Sequence, residues 1–188
     1  LQEVRGFQPS QVGLLVFSAA IGMTIFSTVS GRLSDRFGTR RFVIVGLVMV
    51  SIASGYYSTI GENTPVAIIV GVMFISGMGL GMWDTPNTTS SLDVGGSAST
   101  NTTGALVNVT RNAGNISSIA VSSSIVTGVL IARGFEPDIS LIGDDSTGAM
   151  ADAFLDGARF AFIAMALTGI VAVIAAWRVV GKKQKTAE

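Results

Sequence analysis

The chain has 188 residues, with 12 Lys and Arg balanced by 12 Asp and Glu, no Cys and no His. Charged residues make up 13% of it, about half of the roughly 25% of an ordinary globular protein, and the mean hydropathy is +0.59. Such a chain cannot cover a water-facing surface with charge. The absence of Cys and His excludes a disulfide framework, thiolate or imidazole metal sites, a Cys nucleophile and a His-based triad. The zero net charge gives no nucleic-acid signal.

Five stretches reach the roughly 20 apolar residues that cross about 30 Å of hydrocarbon. In chain order they predict helices over 10–33, 42–60, 66–87, 104–132 and 158–180. Pro9 and Pro65 each stand just before a stretch, where a missing N–H costs a helix nothing. The first residue is Leu and no signal-peptide pattern precedes the first stretch, so the chain reads as a piece of something longer. The fold class expected is an all-α polytopic membrane protein. Residues 1–181 form a partial transmembrane bundle and 182–188 a cytoplasmic tail.

The connections carry segregated charge. Arg32, Arg36, Arg40 and Arg41 surround the first turn, and Lys182, Lys183 and Lys185 follow the last helix. The segment 133–157 is acidic, with Glu136, Asp138, Asp144, Asp145, Asp152 and Asp156. The positive-inside rule puts the first turn in the cytoplasm. Four further crossings then bring the Lys tail to the same side and the acidic segment outside. Tyr56, Tyr57, Trp83 and Trp177 fall near span ends, at depths where aromatic rings are enriched.

The first turn reads Gly31-Arg32-Leu33-Ser34-Asp35-Arg36-Phe37-Gly38-Thr39-Arg40-Arg41. Gly38 suits a tight turn with positive φ, and the arginines anchor the turn at headgroups. Asp35 opposes the positive bias, and topology alone does not explain it. Gly31, Asp35, Arg36, Gly38, Arg40 and Arg41 resemble the signature loop of the major facilitator superfamily at every specified position. Residues 1–13, the Gly-rich run Gly77-Met78-Gly79-Leu80-Gly81 with Pro86, and the run from Asn108 to Gly114 are similar to the fourteen-helix drug:proton antiporter branch. The resemblance implies the last five helices of a C-terminal bundle, with the N-terminal half of the transporter as a missing partner. It implies a small-molecule substrate, protons as coupling ion, a lipid bilayer as surroundings and no cofactor. It also implies that Asp35 and Arg36 act as gate residues.

The fourth stretch carries polar residues inside the membrane. Asn108, Arg111, Asn115, Ser118 and Ser122 recur at intervals of three and four, so they share one helix face, with Asn112 beside them. Leu106, Val109, Ala113, Ile116 and Ala120 lie opposite. A polar face towards lipid is costly, so this one is read as a translocation pathway; interhelical hydrogen bonding is the alternative. Asp84 is a candidate ion-pair partner for Arg111, or a proton site. With helices ending at 87 and starting at 104, the two residues differ in depth by about 10 Å. Arg111 is then expected to reach Asp84 or to snorkel to headgroups. A third helix running on to Leu92 would ease the pairing.

Gly77 and Gly81 make a close-contact face rather than a dinucleotide fingerprint, because no strand precedes them and the third Gly is misplaced. No phosphate loop or metal-ligand set occurs. The expected function is alternating-access transport, with drug efflux first and nutrient uptake as runner-up. A non-transporting membrane scaffold is the rival from another class.

Overall fold

The computed structural model describes residues 8–61, 64–95, 100–136 and 148–184. Within them lie five helices: α1 (Pro9–Phe37), α2 (Thr39–Tyr57), α3 (Val66–Gly95), α4 (Thr100–Ala132) and α5 (Ala149–Gln184). Each is long and apolar enough to cross a membrane, and no strand occurs among the described residues. Helices are the expected solution, since each satisfies its own backbone where lipid offers no hydrogen-bond partner.

Successive helices reverse direction, so α1, α3 and α5 run one way and α2 and α4 the other. The residue pairings show it. On α1 and α3 the numbers rise together: the Ser18 hydroxyl donates to the Val70 carbonyl at 3.4 Å and the Ser30 hydroxyl to the Gly81 carbonyl at 3.1 Å. Between α2 and α5 they run oppositely: Arg40 donates to the Trp177 carbonyl at 2.9 Å, and the Tyr57 and Phe162 rings lie 5.2 Å apart. The basic turn therefore shares one end of the bundle with the C-terminal end of α5, where Lys182 and Lys183 lie. Glu136, Asp152 and Asp156 are at the other end. Glu62, Asp138, Asp144, Asp145 and Lys185 fall outside the described residues.

α3 is the axis of the packing, and glycine makes it so. Lipid tails are as apolar as leucine, so helices in a membrane associate through close van der Waals fit. A Cβ on Gly77 would overlap the Ala19 carbonyl of α1, and one on Gly81 would lie 2.5 Å from the Met23 oxygen. On the side facing α2, a Cβ on Gly79 would lie 2.8 Å from the Gly46 oxygen, and one on Gly46 2.6 Å from the Gly79 oxygen. The expected contact face of Gly77 and Gly81 is thus real, and α3 is pressed against α1 on one side and α2 on the other. Ser30 and Ser34 on α1 and Ser51 and Ser54 on α2 are buried, and Ser30 sits in the α1–α3 seam.

α5 docks on α2, with Gly169 against the Ser51 side chain. α4 packs most closely on α5 at the acidic end, where Leu130, Met150, Ala151 and Ala153 are buried together beside Val126, Phe135 and Phe154. An ion pair from Arg133 to Asp156 closes that end, and Asp156 also accepts from Arg159 at 3.0 Å.

Four helices overrun an expected end, while α2 starts three residues early and stops at Tyr57, three short of the expected 60. α3 continues through Pro86 to Gly95, although Pro86 removes the N–H that the Met82 carbonyl would otherwise accept. α5 begins nine residues before the expected 158, with Asp152 in its first turn, where a carboxylate favours the positive end of the helix dipole. Hydropathy marks where a helix meets headgroups, and these helices continue past that level.

Candidate membrane translocation face

The signature turn is almost entirely helical. Gly31 and Arg32 lie within α1, Asp35 and Arg36 in its last turn, and α2 begins at Thr39 with Arg40 and Arg41 following. Gly38 alone separates the helices. Its φ of 84° lies in the left-handed region open to glycine, and its N–H donates to the Ser34 carbonyl at 2.9 Å. Gly31 faces Thr85 of α3, where a Cβ would make an ordinary 3.4 Å contact. Arg36 and Arg41 are exposed, while Arg40 ties the turn to α5. The Asp35 side chain is outside the described residues.

The polar face of α4 is open along its length. Residues 108–121 are all exposed, the apolar Val109, Ile116 and Ile119 included. Ser118 and Ser122 line two cavities between α4 and α5, of about 520 and 390 Å³. Met165 borders both cavities and Thr168 one of them. Asn108 and Arg111 line a third cavity of about 380 Å³ between α3 and α4. Asn112 and Asn115 lie exposed between the two groups, and the Asn115 carbonyl accepts from the Ser118 hydroxyl at 2.9 Å. The candidate residues are therefore split between two seams rather than gathered in one chamber.

Arg111 and Asp84 meet. Arg111 Nη2 lies 2.5 Å from Asp84 Oδ1 and donates also to Thr88 Oγ1 at 3.0 Å. The expected depth mismatch disappears because both helices are longer than hydropathy suggested. Asp84 is 11 residues before Gly95 and Arg111 is 11 after Thr100, so each stands about 16 Å from the α3–α4 connection. Sequence reasoning missed Thr88, which lies one turn beyond Asp84 on α3. Hydropathy also gives no sign of the link from Asp156 to Arg133 and Arg159, because it starts the last helix at 158, beyond Asp156.

Comparison with known proteins identifies the architecture. The model of the Major Facilitator Superfamily matches residues 1–188. The chain belongs to the Major Facilitator Superfamily. Its relatives include the methylenomycin A resistance protein of Streptomyces coelicolor, 23% identical over 98% of this chain and 34% of that protein. The multidrug resistance protein Stp of Mycobacterium tuberculosis is 26% identical over 85% of this chain and 30% of its own length. The 4-hydroxybenzoate transporter PcaK of Pseudomonas putida is 34% identical over 49% of this chain and 20% of its own length. The chain thus spans about a third or less of these relatives. No solved structure matches it. Membership in this superfamily makes it an integral membrane protein of a transporter family.

Proposed function

We propose that the chain forms the C-terminal part of a proton-coupled drug-efflux transporter of the fourteen-helix type. Its five helices would be the last five of the C-terminal bundle, with residues 182–188 as a cytoplasmic tail. The observation that carries this reading is the open polar face of α4. An Asn, Arg and Ser face in a bilayer needs protein or water against it, and between residues 108 and 121 this chain buries none of it. An N-terminal half of the same transporter would complete that face, enclosing a pathway that opens alternately to each side as the two bundles rock. The partial coverage of the relatives and the resistance functions in two of their names support this assignment. Gly31, Asp35, Arg36, Gly38, Arg40 and Arg41 would form the gate turn at the cytoplasmic face of the inner or plasma membrane.

One relative is named a transporter of 4-hydroxybenzoate rather than for resistance, and nutrient uptake is the second reading. The two are separated in cells making the protein as its source encodes it. Efflux predicts lowered accumulation of a fluorescent dye, reversed by a protonophore; uptake predicts unchanged dye and faster entry of a nutrient. In either case Asp35→Asn is expected to cut transport at least about tenfold while the protein still inserts. Full transport by that variant removes Asp35 from the gate.

A further inference from the structure

The Asp84–Arg111 contact leaves half of each group unused. A guanidinium has five N–H donors and commonly grips a carboxylate through two parallel bonds. Here one nitrogen, Nη2, serves both Asp84 Oδ1 and Thr88 Oγ1. Among the described residues, Nη1 and Nε of Arg111 and Oδ2 of Asp84 have no hydrogen-bond partner. The pair is not sealed either: 40% of the Arg111 side chain and 23% of that of Asp84 remain exposed. Both line the cavity of about 380 Å³ between α3 and α4, together with Thr85, Thr88, Val107 and Asn108.

A resident pair of opposite charges sets what this cavity can hold. A lone anion drawn to Arg111 comes close to the Asp84 carboxylate. A lone cation drawn to Asp84 comes close to the guanidinium. In each case attraction is offset by a like charge a few ångströms away. A molecule carrying both charges meets no such opposition. Its carboxylate accepts from Nη1 and Nε of Arg111, and its ammonium donates to Oδ2 of Asp84. Asn108, one turn before Arg111 on α4, and the threonine hydroxyls of α3 offer neutral hydrogen bonds. Val107 and the threonine methyls offer contact for an apolar body. The volume falls in the range of small-molecule sites.

We propose that the α3–α4 cavity is a binding subsite for zwitterionic small molecules, with Arg111 taking the carboxylate, Asp84 the ammonium, and an apolar body beside Val107. This rests on the reading of the α4 face as a translocation pathway, and names the class of cargo that would pass along it.

The test uses the protein as its source makes it, purified into lipid nanodiscs, with no gradient and therefore no transport. Three probes of one shape are titrated calorimetrically: L-phenylalanine (both charges), 3-phenylpropanoate (anion) and 2-phenylethylamine (cation). Phenylalanine is expected to bind at least about tenfold tighter than either single-charge probe. Equal affinities, a preference for a single-charge probe, or no saturable binding of phenylalanine overturns the proposal. The ranking is read on the unmodified protein, so it stands even if a variant fails to fold. For folded variants the expected signature is crossed. Arg111→Gln loses phenylalanine and shifts preference to the amine; Asp84→Asn shifts it to the carboxylate. A purely structural pair would weaken all three probes alike, and that result also overturns the proposal. Since nothing is transported here, failure of this ranking leaves the accumulation assay as the separate judge of the transport reading.

Discussion

α3 and α4 are consecutive, similar in length and antiparallel, yet they are held by different means. In the most apolar window of α3, 28% of residues are buried within the chain; in that of α4 only 6% are. Glycines bring α3 to backbone contact with α1 and α2 on two sides. α4 is held at two separated places, by the Arg111 pair a third of the way along it and by the Leu130 cluster and Arg133 at its C-terminal end. The contrast separates two uses of a membrane helix. One that presents glycine on opposite sides is a structural axis. One that is exposed over residues 108–121 and touches its neighbours through a few polar side chains is only loosely joined to its own bundle.

Three substitutions probe this contrast, from the largest expected effect to the smallest. Gly77→Ala should be the most damaging, because the added Cβ meets the Ala19 backbone, which cannot move aside as a flexible side chain can. Parting α1 from α3 is expected to cost about 3 kcal/mol or more, seen as a large fall in detergent unfolding midpoint. An unchanged midpoint would break the idea of α3 as axis. Leu130→Ala should cost roughly 1–3 kcal/mol, below the water-soluble range because lost packing is not joined by transfer from water. The loss should appear first as protease access to the α4–α5 connection. Gly114→Ala, with open space around its Cβ, should change stability by no more than about 0.5 kcal/mol. A clear loss there in the chain as it is made would mean that another helix lies against this face, and would mark where the face is covered.

The five crossings and their order were legible in the sequence, since a bilayer imposes a length of apolar residues that little else requires. The ends were not, because four of the helices run on into polar sequence, where hydropathy falls silent. That is why Asp152 and Asp156 looked like loop residues, and why Asp84 and Arg111 seemed to lie at different depths. The stripe from Asn108 to Ser122 was visible in its spacing. Its division between two seams was not, because spacing gives the face and not the neighbour. Gly77 and Gly81 stood out as a contact face, but nothing marked Ala19 and Met23 as their partners. In an apolar helix, residues that face lipid and residues that face another helix are chemically alike.

Gly38 is the entire connection between α1 and α2. Two peptide steps span at most about 7 Å, so the neighbouring helix ends have almost no slack. The connection between α4 and α5, by contrast, has sixteen residues, 133–148. The adjoining ends of α1 and α2 therefore stay within one residue's reach of each other however the helices turn, and the Arg40 bond to the Trp177 carbonyl holds the same corner beside α5.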